Sequence, residues 1–181
     1  MWERTTTVGS FGKSFSVTGW RIGWAIGPPH LISPINHVTV RTTGHTSTIL
    51  QEAAAGGLER ETRLRGLPES YSHWFSRTIQ MNCAKLSDAF RDIGCVPLAP
   101  EGGFFLVVDT GPMNWTFQGE EYGLECVKWL TVECKLAVLP LSVFYGAENK
   151  ALAGKCIRVC CAKSDNTIER ACTIIRSLKI S

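Results

Sequence analysis

Gly9, Gly12, Gly19 and Gly23, followed at once by Pro28-Pro29, punctuate one short stretch of this chain. A continuous helix cannot run through it. Each interior glycine costs a helix about 1 kcal/mol relative to alanine, and proline costs more. The residues between them are of another kind. Thr5-Thr6-Thr7-Val8 leads in, and Trp20 to Ile26 leads out. Residues 5–9 and 20–26 therefore read as short strands flanking a tight loop. Lys13 sits in that loop, with Ser10 before it and Arg21 eight residues after it.

Those three side chains suit a phosphorylated aldehyde. An unprotonated lysine amine attacks an aldehyde carbonyl, and desolvation or a neighbouring cation promotes loss of the proton. Arginine presents a planar fork that grips a phosphate with two parallel bonds. Serine adds a short hydroxyl donor. Gly9 and Gly12 lack a Cβ, so backbone can approach a ring closely. The plain alternative for any lone Lys-Arg pair is an exposed loop lysine beside a structural arginine. Gly12-Lys13-Ser14 also matches the end of a phosphate-cradling nucleotide loop. That motif needs a glycine five residues before Gly12, where Thr7 stands, and a helix starting at the lysine.

Beyond the loop, Pro28-Pro29 can start a helix toward residue 41. A second helix is expected from Thr46 to Glu61, with Thr48 and Gln51 forming a capping box and Gly56-Gly57 weakening it. Residues 63–68 read as a linker. A long helix over 69–93 follows, closed by Gly94. Then come a strand over 104–108, a loop over 110–118, a helix from Gly119 to Lys135, and strands over 136–139 and 156–160. A last helix begins near Ser164 or Asp165, with Ile168, Cys172, Ile175 and Leu178 on one face. Helices alternating with short strands indicate an α/β or α+β unit from residue 69 onward.

At 181 residues, 44% apolar and 19% charged, the chain is expected to be globular. A net charge of +3 with scattered basic residues gives no nucleic-acid stripe. No apolar run reaches the roughly 20 residues of a membrane span. Met1-Trp2-Glu3-Arg4 has no signal-peptide pattern, so a cytoplasmic setting is expected, or a mitochondrial one if a targeting segment lies upstream. The eight cysteines form no Cys-x-x-Cys pair and are expected as free buried thiols. The four histidines show no metal-ligand spacing, so no metal is expected.

Arg158 is the second anchor. It lies within the apolar strand Ile157-Arg158-Val159-Cys160-Cys161. A charge there must be paired or must serve a ligand. The strand alone leaves both readings open: a carboxylate ligand held by the guanidinium fork, or an internal Asp or Glu. Phe104 and Tyr145 are either pocket walls or core. Trp20 and Trp24, evenly spaced, are expected on one side of a strand.

The fourteen residues Ser10 to Gly23 resemble the pyridoxal-phosphate attachment signature of class I (fold type I) aminotransferases at every defined position. Gly102-Gly103-Phe104-Phe105, Val127-Lys128-Trp129, Pro140-x-Ser142-x-Phe144-Tyr145 and Ile157-Arg158 follow in the family's order. The set looks most like the kynurenine aminotransferases, also known as glutamine transaminases and cysteine-S-conjugate β-lyases. This resemblance implies pyridoxal 5'-phosphate as cofactor, with Lys13 as the catalytic Schiff-base lysine. It implies Ser10 and Arg21 as phosphate ligands and Arg158 as the ligand of the substrate carboxylate. It implies transamination between an L-amino acid and a 2-oxo acid, in an enzyme that is a homodimer at full length. β-Elimination from cysteine S-conjugates would use the same residues.

The resemblance also implies an α/β fold in two parts. Residues 1–62 correspond to the end of the large cofactor-binding domain, and residues 63–181 to the α+β small C-terminal domain. Family members carry an upstream half, so the expectation is a C-terminal half whose activity alone is in question. Where kynurenine-type relatives have a His-Gln-Asn run this chain has Thr39-Val40-Arg41, and Gly44-His45 stands where they have an aromatic before the histidine.

Overall fold

A computed structural model describes residues 1–117 and 121–178. It divides into two compact units, Met1–Ser76 and Arg77–Ser181. Residue 62 lies near the end of a helix within the first unit.

In the first unit, strands β1 (Thr7–Ser10) and β2 (Gly23–Ile26) form an antiparallel ribbon, with Ser10 opposite Gly23 and Gly9 opposite Trp24. The ribbon is the neck of a closed loop. Phe11 N–H donates to Ile22 O at 3.1 Å just beyond the last pair. Inside the loop lie a single helical turn, α1 (Phe11–Ser14), and a 3-10 turn over Thr18–Trp20. Trp20 therefore does not share a strand face with Trp24, as the even spacing predicts. The left-handed backbone at Arg21 (φ 58°) breaks the strand between them. Trp24 lies over Gly9, where a Cβ would run into the indole.

Helix α2 (Pro29–Thr42) opens on Pro29, whose missing N–H needs no partner in a first turn. Helix α3 (Thr48–Arg63) starts two residues later than predicted, and the expected capping box does not form. Ser47 is the N-cap without a side-chain bond, and the Gln51 amide reaches past it to Thr46 O at 2.8 Å. Buried Phe11, Ile22 and Ala54, with half-buried Phe15, Val17 and Leu50, make a small core that fixes the loop against α3.

Helix α4 (Tyr71–Asp92) begins in the first unit and continues in the second. Its N-terminus has a cap that the linear pattern does not announce. The Glu61 carboxylate accepts from Tyr71 N–H at 2.6 Å, Ser72 N–H at 3.2 Å, and the Ser70 and Ser72 hydroxyls. An anion placed there satisfies orphan donors and complements the helix dipole. These bonds, led by that from Tyr71 N–H, hold the Glu61 carboxyl below its usual range. Tyr71 also anchors the Lys13 loop: its hydroxyl donates to Ser16 Oγ at 2.8 Å and its ring stacks on Phe15.

The second unit holds a four-stranded antiparallel sheet. Its members are β3 (Val96–Leu98), β4 (Phe105–Asp109), β5 (Leu139–Pro140) and β6 (Cys156–Cys160), in the order β3-β4-β6-β5. Leu106, Val108, Ile157 and Val159 point into the core with Leu86, Phe90, Leu130, Ile168 and Ile175, from α4, α5 (Tyr122–Val132) and α6 (Asp165–Ser177). The alternate residues of β4 and β6 face away from it, as the period of two requires.

Several boundaries move. β3 is unpredicted because Pro97 interrupts a three-residue run, which an edge strand tolerates. The expected strand 136–139 shrinks to a two-residue β5, since Leu136 N–H turns back to Leu130 O at 2.8 Å. α5 is first described from Tyr122; its expected start, Gly119, lies outside the described residues. α6 begins as predicted, with the Ser164 hydroxyl accepting from Thr167 N–H.

The cysteine expectation needs a correction. Cys83 on α4 and Cys161, just beyond β6, form a disulfide, with Cα atoms 5.4 Å apart. Seventy-eight positions separate them, so spacing carries no hint of the pair. The other six remain free. Burial pushes the thiols of Cys95 and Cys126 up to about 12 and about 11. Among the described residues no helix is long and apolar enough to cross a membrane.

Candidate functional site

Ser10, Lys13 and Arg21 all lie at or within the loop closed by the β1–β2 neck. Ser10 ends β1 and caps α1: its Oγ accepts from Gly12 N–H at 3.2 Å. That bond uses a lone pair and leaves the hydroxyl proton to donate. Lys13 is exposed in α1, and among the described residues its amine forms no ion pair. Arg21 is exposed, directly before Ile22 at the neck. Its Nη1 donates to Thr18 O at 3.2 Å, which leaves further N–H groups for a ligand.

The loop is tight where it carries these groups. A Cβ on Gly12 would meet Thr18 Cα at 3.2 Å and Ser10 Oγ at 3.3 Å. Arg21 adopts the left-handed region that a non-glycine residue enters at a cost of about 1–3 kcal/mol. Ser16, at φ 56°, does the same within the loop. Beside the loop, Phe11, Ile22 and Trp24 line a cavity of about 550 Å³ whose other wall is Gln51, Ala54 and Leu58 of α3.

No Asp or Glu occurs between Glu3 and Glu52, whereas Arg4, Lys13, Arg21 and Arg41 all fall in that span. An amine, a hydroxyl and a guanidinium on a loop without local carboxylates form a donor set for an anion. An aldehyde that also carries a phosphate uses all three, so these residues fit pyridoxal phosphate.

Arg158 belongs to the second unit. It is half-buried at the centre of β6, opposite Val107 of β4 and Leu139 of β5. Among the described residues it forms no salt bridge, so the internal-carboxylate reading left open by the strand finds no partner. Two rings hold it instead. The guanidinium carbon lies 4.1 Å from the Phe105 ring centre and 4.4 Å from that of Phe144. β4 supplies one ring and the turn after β5 the other, so they approach from both flanks of β6. Cation–π contact steadies a charge without neutralising it.

These are not the rings singled out from sequence. Phe105 stands one residue after Phe104, and Phe144 one before Tyr145. Pairing of Val107 with Arg158 puts Phe105 and Val107 on the arginine's face of the sheet. The phase of a strand decides this, and adjacent aromatics hide it.

The sequence matches the family described as "Aminotransferase class I and II" over residues 2–175. It is 35% identical to human kynurenine–oxoglutarate transaminase 3 over 184 aligned positions, which cover 99% of this chain and 40% of that protein. Among solved structures, it resembles YbdL from Escherichia coli, described as having a methionine aminotransferase function. There the TM-score is 0.79 and the identity 32%, over 98% of this chain and 42% of that one. N-succinyldiaminopimelate aminotransferase from Mycobacterium tuberculosis superposes with a TM-score of 0.83 at 25% identity, over 98% of this chain and 43% of that one. The chain thus spans about two fifths of the length of the relatives it matches.

Proposed function

The chain belongs to the class I and II aminotransferases, whose solved relatives share its fold, and from that premise we propose that it carries part of a pyridoxal-phosphate site for transamination of an L-amino acid with a 2-oxo acid. One observation carries the reading: a lysine with no ion pair among the described residues, a serine hydroxyl and an arginine share one tight, carboxylate-free loop.

Each residue has a task in this reading. Lys13 holds the cofactor and moves a proton through Nζ, as general base and then general acid. Ser10 Oγ and the Arg21 guanidinium hold the phosphate. The strained backbone at Arg21 fits a residue held for a ligand. Pyridoxal phosphate, when bound, supplies the electron sink for charge developing at a substrate α-carbon. Arg158, steadied by Phe105 and Phe144 and in no salt bridge among the described residues, orients the substrate carboxylate.

Kynurenine or glutamine as amino donor is the finer part of the proposal, supported by the likeness to kynurenine–oxoglutarate transaminase 3. So is the reading of the chain as the C-terminal portion of a longer enzyme, with residues 1–62 and 63–181 in its large and small domains. The coverage of the relatives supports it, as does the first unit's small core. A homodimer belongs to the same reading. Helix α2 has no buried residue and exposes Ile35, Val38 and Val40.

The test is chemical. The purified chain is incubated with pyridoxal phosphate, reduced with borohydride, and mapped by mass spectrometry. Labelling confined to Lys13 and lost in Lys13→Ala is expected. Labelling spread over the surface lysines would overturn the assignment. A transamination assay with kynurenine, glutamine or methionine then ranks donors.

A further inference from the structure

The second unit contains a cavity of about 430 Å³ whose lining does not include Arg158. It exists because the sheet ends early. β5 pairs with β6 only at Leu139–Arg158 and Pro140–Ile157, so the edge of β6 at Val159 and Cys160 has no strand beside it. Residues 135–137 pass over this gap, and α6 closes it with Thr167, Arg170, Ala171 and Ile174. Their spacing of three, one and three puts them on one stripe of the helix.

The floor is apolar: Leu136, Val159, Ile168 and Ile174. The rim is cationic: Lys135, Lys163 and Arg170. Among the described residues no Asp or Glu lines the cavity. The ion pairs nearby show how charge is sorted on these helices. Lys85 of α4 takes Glu169 of α6 at 2.6 Å and also feels Asp165. Arg176 takes Asp92, and Arg91 takes Asp88. Asp88, Asp92 and Glu169 are thus engaged with cations of α4 and α6, whereas Lys163 and Arg170 form no salt bridge among the described residues. Lys135 Nζ donates to Val132 O at 2.6 Å, a neutral acceptor.

We infer that this cavity is a binding site for a small monocarboxylate with an apolar body, such as an aryl or branched aliphatic acid. The apolar floor takes the body and the Lys163–Arg170 rim takes the carboxylate. The volume falls within the roughly 300–1,000 Å³ of small-molecule sites. The site does not depend on pyridoxal phosphate or on Arg158.

Phenylacetate titrated into the purified chain tests this by calorimetry and by methyl NMR of Ile168 and Ile174. Saturable binding that shifts both methyls is expected, weakened about tenfold or more in Lys163→Gln and in Arg170→Gln. Binding should persist in Arg158→Gln. Phenylacetamide, with no charge, and inorganic phosphate, with no apolar body, should bind at least about tenfold more weakly. Both rim variants change exposed side chains; if Arg170→Gln fails to fold, Lys163→Gln alone decides. Absent binding, or binding indifferent to the rim variants, overturns the inference. So does loss in Arg158→Gln, which assigns the acid to that arginine, and so does equal binding of phosphate, which reduces the cavity to a plain anion site.

Discussion

The Arg158 guanidinium lies 4.4 Å from the centre of the Phe144 ring, in a turn fourteen residues before it in the chain. With Phe105 on the other flank, the charge is held by aromatic faces and forms no salt bridge among the described residues. Arg158→Lys keeps the charge but loses both the planar fork and the stacking. If Arg158 holds the substrate carboxylate as proposed, the change should weaken binding of a 2-oxo acid about tenfold or more, read by calorimetry, with the circular dichroism spectrum unchanged. Phe144→Leu should weaken it less, and Phe144→Tyr should restore it. Equal affinity in Arg158→Lys would remove the residue from the carboxylate site.

Gly9 and Trp24 face each other across the β1–β2 neck. Gly9→Ala puts a methyl group into the indole, so Trp24 must swing away. A loss of about 1–3 kcal/mol is expected in urea denaturation, with a change in tryptophan fluorescence. An unchanged midpoint would show that the ring is not packed there.

Glu61 ties α3 to the start of α4 through hydrogen bonds to its charged form, and its folded pKa lies below the ordinary 4.5. A depressed carboxylate contributes stability that is present above the unfolded pKa and lost as pH falls through the folded one. Glu61→Gln should therefore be less stable than the parent at neutral pH. The gap in denaturation midpoints should close as pH falls below 4.5. A gap that widens on acidification would contradict the cap.

The Cys83–Cys161 bond closes a long loop, for which about 4 kcal/mol of stabilisation is the ordinary magnitude. Cys83→Ser should lose roughly that amount in chemical denaturation. Thiol titration of the denatured, unreduced chain should count six thiols of the eight cysteines. A count of eight would rule out the bond.

Cys95 and Cys126 have thiols raised by burial to about 12 and about 11, from an ordinary 9.0. A raised thiol stabilises the fold fully below the unfolded value, and the contribution fades as pH climbs toward the folded one. Stability should fall between pH 9 and about 11, and Cys126→Ala should flatten that decline. At neutral pH neither thiol should react with iodoacetamide before unfolding.

The spacing of Lys13, Ser10 and Arg21 was readable because one short loop carries all three, and local backbone chemistry gives that loop its shape. Glycines, a serine cap and two strand-like flanks specify a closed turn, which Ala54, Leu50 and Tyr71 then hold in place. The alternation of helices and strands was readable for the same reason, as was the cap of α6 at Ser164. Its apolar stripe of Ile168, Cys172, Ile175 and Leu178 is buried as its period requires.

Only tertiary structure decided which residues meet across long separations. Phe105 meets Arg158 because the β4–β6 register, and not composition, assigns the face. Glu61 reaches the N-terminus of α4 ten residues on, and Cys83 reaches Cys161 across seventy-eight, because packing brings those backbones together. The gap beside β6 arises where β5 stops after two residues, an outcome of how Leu136 folds back on α5. Sequence thus determined the chemistry of the lysine loop. Long-range pairing, in which one residue of slip turns every side chain over, determined the surroundings of Arg158 and the existence of the cationic cavity.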